Sequence, residues 1–118
     1  MDLTFNKNED YNKRLASKLK QKLAVVKLGG GKSRIEKHHS KGKLTARERI
    51  DYLLDPKSKS IEVAAFAGDG MYEEHGGCPS GGVVIVIGYV SKKQCIVVAN
   101  DATVKAGAWF PITAKKNL

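Results

Sequence analysis

Cysteine is scarce in this chain of 118 residues: Cys78 and Cys95 stand apart, with no Cys-x-x-Cys pair. Neither a disulfide framework nor a structural zinc site can be read from that usage, and two free thiols are expected. Long apolar runs are also missing. Runs such as Val83 to Ile87 and Cys95 to Ala99 fall far short of the roughly 18 residues of a membrane span, so a soluble protein is expected. The first twenty residues contain Asp2, Glu9 and Asp10 and no apolar stretch, which fits neither a secretory signal nor an acid-poor, Arg-rich transit peptide. A bacterial cytoplasmic location follows as the expectation. The length allows one domain at most, which excludes a complete large enzyme.

Acidic residues are few as well, 12 against 21 Lys plus Arg for a formal charge of +9. The imbalance is local. Residues 1 to 60 hold 16 basic and 7 acidic side chains, whereas residues 61 to 118 hold 5 of each. This divides the chain into a basic helical region, 1–60, and a neutral sheet region, 61–118. A basic half can bind nucleic acid by releasing counterions from phosphates. Here its only aromatic residues are Phe5, Tyr11 and Tyr52, so no stacking platform for bases is present. A solvated face or a subunit contact is the plainer reading, and a basic nucleic-acid or protein binding module is the alternative.

Leu15, Leu19, Leu23 and Val26 recur at helical steps and predict a helix from about Asp10 to Lys27. Gly29, Gly30 and Gly31 break it, because successive glycines are entropically costly to hold in a helix. Lys32 to Lys43 has Ile35 as its one apolar residue and reads as a short exposed helix or a connector. Thr45 and Glu48 have capping-box spacing, and Ala46, Ile50, Leu53 and Leu54 line one face of the helix that follows. Asp55-Pro56 stops that helix. Ile61 to Phe66 predicts a strand, and Gly68 to Gly82, with too little apolar content for a core element, predicts a long functional loop. Val83 to Val90 and Cys95 to Ala99, separated by polar Ser91 to Gln94, predict a buried β-hairpin. Pro111 then opens a helix of about two turns, too short to be stable alone, so the chain reads as the start of something larger.

Most chemical motifs fail on spacing. Gly31-Lys32-Ser33 resembles the end of a phosphate-binding loop, but Val26 stands where the first glycine belongs and a helix, not a strand, precedes it. Gly68-Asp69-Gly70 is followed by Glu73 where a dinucleotide fingerprint needs its third glycine. Adjacent His38 and His39 point about 100° apart on a helix and read as solvated side chains. His75 and Cys78 lack a third ligand or an orienting carboxylate and read as loop residues. No residue is a defensible catalytic base or nucleophile, and no metal site is expected.

The segment from Ala99 to Pro111 differs, since it turns from a strand directly into a helix start. Asp101 and Thr103 can cap exposed amides, Lys105 can meet a phosphate, and Ala106, Gly107 and Ala108 permit close approach to the backbone. On spacing alone an anion-binding turn and an ordinary strand-to-helix turn are equally good readings.

The runs Gly42-Lys43-Leu44-Thr45-Ala46-Arg47-Glu48-Arg49-Ile50-Asp51, Leu53-Leu54-Asp55-Pro56, Pro79-Ser80-Gly81-Gly82 and Asn100 to Pro111 resemble the N-terminal part of carboxyltransferase β subunits of biotin-dependent acyl-CoA carboxylases. The Ala99 to Lys105 run, with the aromatic pair and Pro-x-Thr after it, is most similar to the methylcrotonoyl-CoA carboxylase branch. Ala106, Ser80 and Val86 depart from the family, which usually has glycine there. The resemblance implies an α/β fold, α+β within this segment: N-terminal helices, then the first ββα unit of a crotonase-like fold. It implies transfer of a carboxyl group from carboxybiotin to an acyl-CoA of the 3-methylcrotonyl or propionyl kind. It further implies coenzyme A contacts at Thr103, Lys105, Ala106, Gly107 and Ala108, a biotin carboxylase and biotin carrier as partners, and hexameric assembly. The family's catalytic turns would lie beyond Leu118, and the chain has no Met-Lys-Met biotinylation sequence.

Overall fold

The computed structural model describes residues 2–118, among which four α-helices precede, flank and follow one three-stranded sheet. Helix α1 spans Leu3–Val26 and starts well before Asp10, because the Asp2 carboxylate accepts the Thr4 amide and caps the helix there. The predicted stripe is helical but mostly unpartnered. Val26 is buried and Leu23 half-buried, whereas Leu15 and Leu19 stay exposed. Helix α2, Lys32–His39, buries nothing, as a polar segment should. Helix α3, Ala46–Leu53, carries the full capping box: Thr45 Oγ1 accepts the Glu48 amide and the Glu48 carboxylate accepts the Thr45 amide.

Strands β1 (Ile61–Val63), β2 (Val83–Val90) and β3 (Lys93–Asn100) lie in chain order and antiparallel. In this register Val84, Val86, Val97 and Ala99 share the face that receives Ala46, Ile50 and Leu54 from the α3 segment. Leu54 fills the space over Gly88, where a β-carbon would lie 2.7 Å from its Cδ2. Leu53, expected on the same face as Ile50, is instead 49% exposed. The hairpin is also less buried than expected. β2 is covered along most of its length, but Ile96 and Val98 of β3 face outward and stay exposed. β1 ends at Val63 rather than Phe66, since Ala64 takes a φ of 50° that no strand accommodates.

The hairpin closes in two residues, Ser91 and Lys92, with φ of 50° and 66°. That turn normally calls for Asn-Gly or a similar pair. Asp55 compensates: its Oδ1 accepts the Ser91 amide and its Oδ2 the Lys92 amide, each at 2.7 Å, while its own amide donates to Tyr89 O. Asp55, just past the Leu54 cap of α3, thus also holds the hairpin turn.

The glycine-rich stretch was expected outside the core and lies partly inside it. After a 3-10 turn at Glu73–His75, a second one at Pro79–Gly82 buries Cys78, Ser80, Gly81 and Gly82. Small side chains let this backbone run beneath the sheet end, and charged side chains satisfy its polar groups. Arg47 makes a bidentate pair with Glu62 at 2.6 and 2.8 Å and donates to Ser80 Oγ at 3.1 Å. Ser80 Oγ donates to Ala65 O, and the Lys116 ammonium donates to Ser80 O and Val83 O, each at 2.7 Å. Burial holds the Lys116 ammonium below its ordinary pKa.

Two outcomes follow. Asp55→Ala should lower unfolding stability by about 1–2 kcal/mol in urea titration, and Asp55→Asn, which keeps one acceptor, by less; equal stability of all three proteins would refute the turn assignment. His39 Nε2 lies 2.9 Å from both Glu48 oxygens. This histidine is therefore paired, not merely solvated. That contact, with the Thr45 amide, holds the Glu48 carboxyl below its ordinary 4.5. A lowered folded-state value means the contribution is complete above the unfolded value and is lost as pH falls through the folded one. Wild-type stability should therefore decline more steeply than that of Glu48→Gln below about pH 4.5, measured by thermal unfolding across the acid range.

Candidate functional site

The strand-to-helix turn between β3 and α4 (Pro111–Asn117) is built from the inside outward. Asp101 is buried, and its Oδ1 accepts both the Thr103 amide at 2.9 Å and the Thr103 hydroxyl at 2.6 Å. Its amide donates to Gly82 O, which ties the turn to the glycine-rich segment. Thr103 is committed on every side. Its Oγ1 accepts the Gly30 amide at 2.9 Å, and its carbonyl accepts Arg34 Nη1 at 3.2 Å. The turn between α1 and α2 therefore closes directly on the turn after β3. Gly30 allows this approach because a β-carbon there would lie 1.8 Å from Thr103 O.

Above that buried layer the chain comes to the surface. Lys105, Ala106 and Ala108 are exposed and Gly107 half-buried, so four of the five sequence candidates form one surface turn, with Thr103 beneath as its support. Lys105, Ala106 and Gly107 take φ of 43°, 54° and 83°, a left-handed run that only glycine adopts without strain. Glycine at position 106 would suit this geometry. Phe110 closes the turn: it is 5% exposed, its amide donates to Thr113 Oγ1 at 3.1 Å, and Pro111 begins α4 as expected.

The sequence reading missed the aromatic group beside this turn. Tyr72 stacks on Phe110 with centroids 4.4 Å apart at 28°, and the Lys105 ammonium lies 4.4 Å from the Phe110 centroid. His75 tilts against the same ring at 6.2 Å. Tyr72 comes from the glycine-rich loop, and no local pattern signals that it meets Phe110. Cys78 is 1% exposed in the same cluster, so it is a core residue as well as a loop residue. Burial pushes its thiol up, the reverse of an activated nucleophile. Among the described residues no group of three His, Cys, Asp or Glu side chains could hold a metal ion. Nor is any helix among them long and apolar enough to cross a membrane.

Residues 37–118 match the carboxyl transferase domain family. The chain is 48% identical over 109 residues to the biotin-dependent 3-methylcrotonyl-coenzyme A carboxylase beta1 subunit of Mycobacterium tuberculosis, covering 92% of this chain and 20% of that protein. It is 49% identical over 104 residues to a probable mitochondrial methylcrotonoyl-CoA carboxylase beta chain of Drosophila melanogaster, covering 88% and 18%. In three dimensions it resembles the transcarboxylase 12S core solved with methylmalonyl-coenzyme A bound, with a TM-score of 0.77 and 34% identity over 89% of this chain and 21% of that one. The chain thus spans about a fifth of the length of the relatives it matches. Its helices and antiparallel sheet form part of a crotonase-like carboxyltransferase fold.

Because Gly30 seats the turn between α1 and α2 on Thr103, Gly30→Ala should cost about 1–3 kcal/mol through overpacking. Gly42→Ala, at a φ of 69° with open space around it, should cost about 1 kcal/mol from backbone strain alone. Denaturant midpoints of the two variants check the order.

Proposed function

The chain belongs to the carboxyl transferase domain family, and from that premise we propose that it is the N-terminal part of a carboxyltransferase β subunit acting on an acyl-CoA of the 3-methylcrotonyl or propionyl kind. The observation that carries this reading is the family match over residues 37–118, which takes in α3, the sheet and the β3–α4 turn as one unit. Identity to two methylcrotonoyl-CoA carboxylase β chains supports the branched acyl group.

Within this reading the division at about residue 60 is one of charge and element type: a basic helical region followed by the opening of the carboxyltransferase domain. Helix α3 packs across that division. The surface turn of Lys105, Ala106, Gly107 and Ala108 receives the coenzyme A portion, with Thr103 bracing it from below. Lys105 supplies positive charge, and the small residues let the ligand reach the backbone.

Biotin is a partner's group in this proposal and supplies the carboxyl that is transferred. The chain's own residues do not fit it as a carrier: no Met-Lys-Met sequence occurs, and the half-buried Lys116 has its ammonium committed to two carbonyls. A biotin carboxylase and biotin carrier are the partners, and hexameric assembly around paired domains is proposed with them. Deprotonation of the acyl-CoA gives an enolate, which fixed backbone N–H groups in a water-poor site stabilise by several kcal/mol. Those turns and the base belong to the remaining four-fifths of a subunit of the relatives' length. This segment alone is therefore expected to be inactive. The compartment proposed is the bacterial cytoplasm, although three of the similar β chains are named as mitochondrial. The basic-module alternative is not favoured, because the family match and the similar proteins point to a carboxyltransferase.

The full-length subunit, mixed with biotin carboxylase, biotin carrier, ATP and labelled bicarbonate, should fix acid-stable label onto 3-methylcrotonyl-CoA or propionyl-CoA. Absence of label with every short or branched acyl-CoA would overturn the reading.

A further inference from the structure

Lys105 presents a cation that no group in the described chain neutralises: its ammonium makes no hydrogen bond or ion pair among the described residues and is held instead over the Phe110 ring at 4.4 Å, while its carbonyl accepts the Ala108 amide. An aromatic face fixes an ammonium differently from a carboxylate. A carboxylate would cancel the charge and occupy the N–H donors, whereas a ring attracts one side of the group and leaves the outer N–H bonds and the full charge available.

The ring itself is enclosed by its neighbours. Phe110 is 5% exposed, Tyr72 stacks on it at 4.4 Å, its amide is bound to Thr113 Oγ1, and the next residue is proline. The backbone adds to this, since Lys105 and Ala106 hold left-handed φ values of 43° and 54° that direct the turn as one shape. A surface lysine ordinarily gives up much rotamer freedom when it grips an anion. Here that loss is already taken in the fold, so binding an anion costs less.

We propose that Phe110, braced by Tyr72, is a positioning residue that pre-orients the Lys105 ammonium for a phosphate of the coenzyme A tail. This rests on the reading of the β3–α4 turn as the coenzyme A contact. The acyl group plays no part in it, so the effect must appear only with ligands that carry the phosphates.

The test uses the full-length subunit and free coenzyme A as probe, with affinity read by calorimetry. Lys105→Ala should raise the Kd about tenfold, the loss of one charge-assisted contact. Replacement of Phe110 by mono-, di- and trifluorophenylalanine keeps the shape of the ring and progressively removes its attraction for cations, and should raise the Kd in steps to about two- to fivefold. The Kd for pantetheine, which carries no phosphate, should not follow the fluorination series, and unfolding midpoints show that the fluorinated proteins are folded. If Lys105→Ala weakens binding while the fluorinated series does not, the aromatic shelf is refuted and the coenzyme A contact stands. If Lys105→Ala leaves the Kd unchanged, the contact and the shelf both fall. Tighter binding on fluorination also overturns the proposal, because the ring would then be holding the lysine away from its ligand.

Discussion

The pair between Arg47 and Glu62 joins the two halves of the molecule, and much of the rest depends on it. One guanidinium reaches from α3 to β1 through two short hydrogen bonds and to the glycine-rich segment through Ser80 Oγ. Both side chains are mostly withdrawn from water, so neither can be left without the other at small cost. With the helix face of Ala46 and Ile50 seated on Val84 and Val86, this polar link fixes the angle at which the helical region meets the sheet. Arginine suits the position because a planar fork can satisfy a carboxylate and a hydroxyl together, which a lysine ammonium on a flexible stem would not.

Around that link the chain solves a problem of backbone exposure. The segment from Cys78 to Gly82 is buried without belonging to a strand or a long helix, so its carbonyls need partners from elsewhere. Lys116 supplies them from α4, and Ser80 returns a bond to Ala65. No buried side-chain nitrogen or oxygen among the described residues lacks a partner. Ser80 holds a φ of 54° and uses its hydroxyl for two of these bonds, which adds fastening at a strained position.

The turn after β3 shows the same layering at smaller scale. Asp101 and Thr103 lie inside and spend their hydrogen bonds on each other and on Gly30, while Lys105, Ala106 and Ala108 lie outside. A buried, hydrogen-bonded base beneath a small exposed turn fixes the geometry of the surface groups.

Local chemistry determined part of this protein before any tertiary contact. The Thr45–Glu48 capping box, the polar character of α2, the break at Gly29 to Gly31, the paired apolar runs of β2 and β3 and the start of α4 at Pro111 all act within a few residues, so they are legible in the chain. The surface candidates Lys105 to Ala108 were legible for the same reason, as small and basic residues between a strand and a helix. Tertiary structure alone decided which apolar residues are covered. Leu15, Leu19, Leu53, Ile96 and Val98 carry the same periodic signal as their buried neighbours, and periodicity cannot say whether a partner surface is present. It also decided that Asp55 grips a turn 36 residues away, that Gly30 meets Thr103 and that Tyr72 stacks on Phe110. Those contacts join residues far apart in sequence, and no local preference encodes a meeting that exists only once the chain has closed on itself.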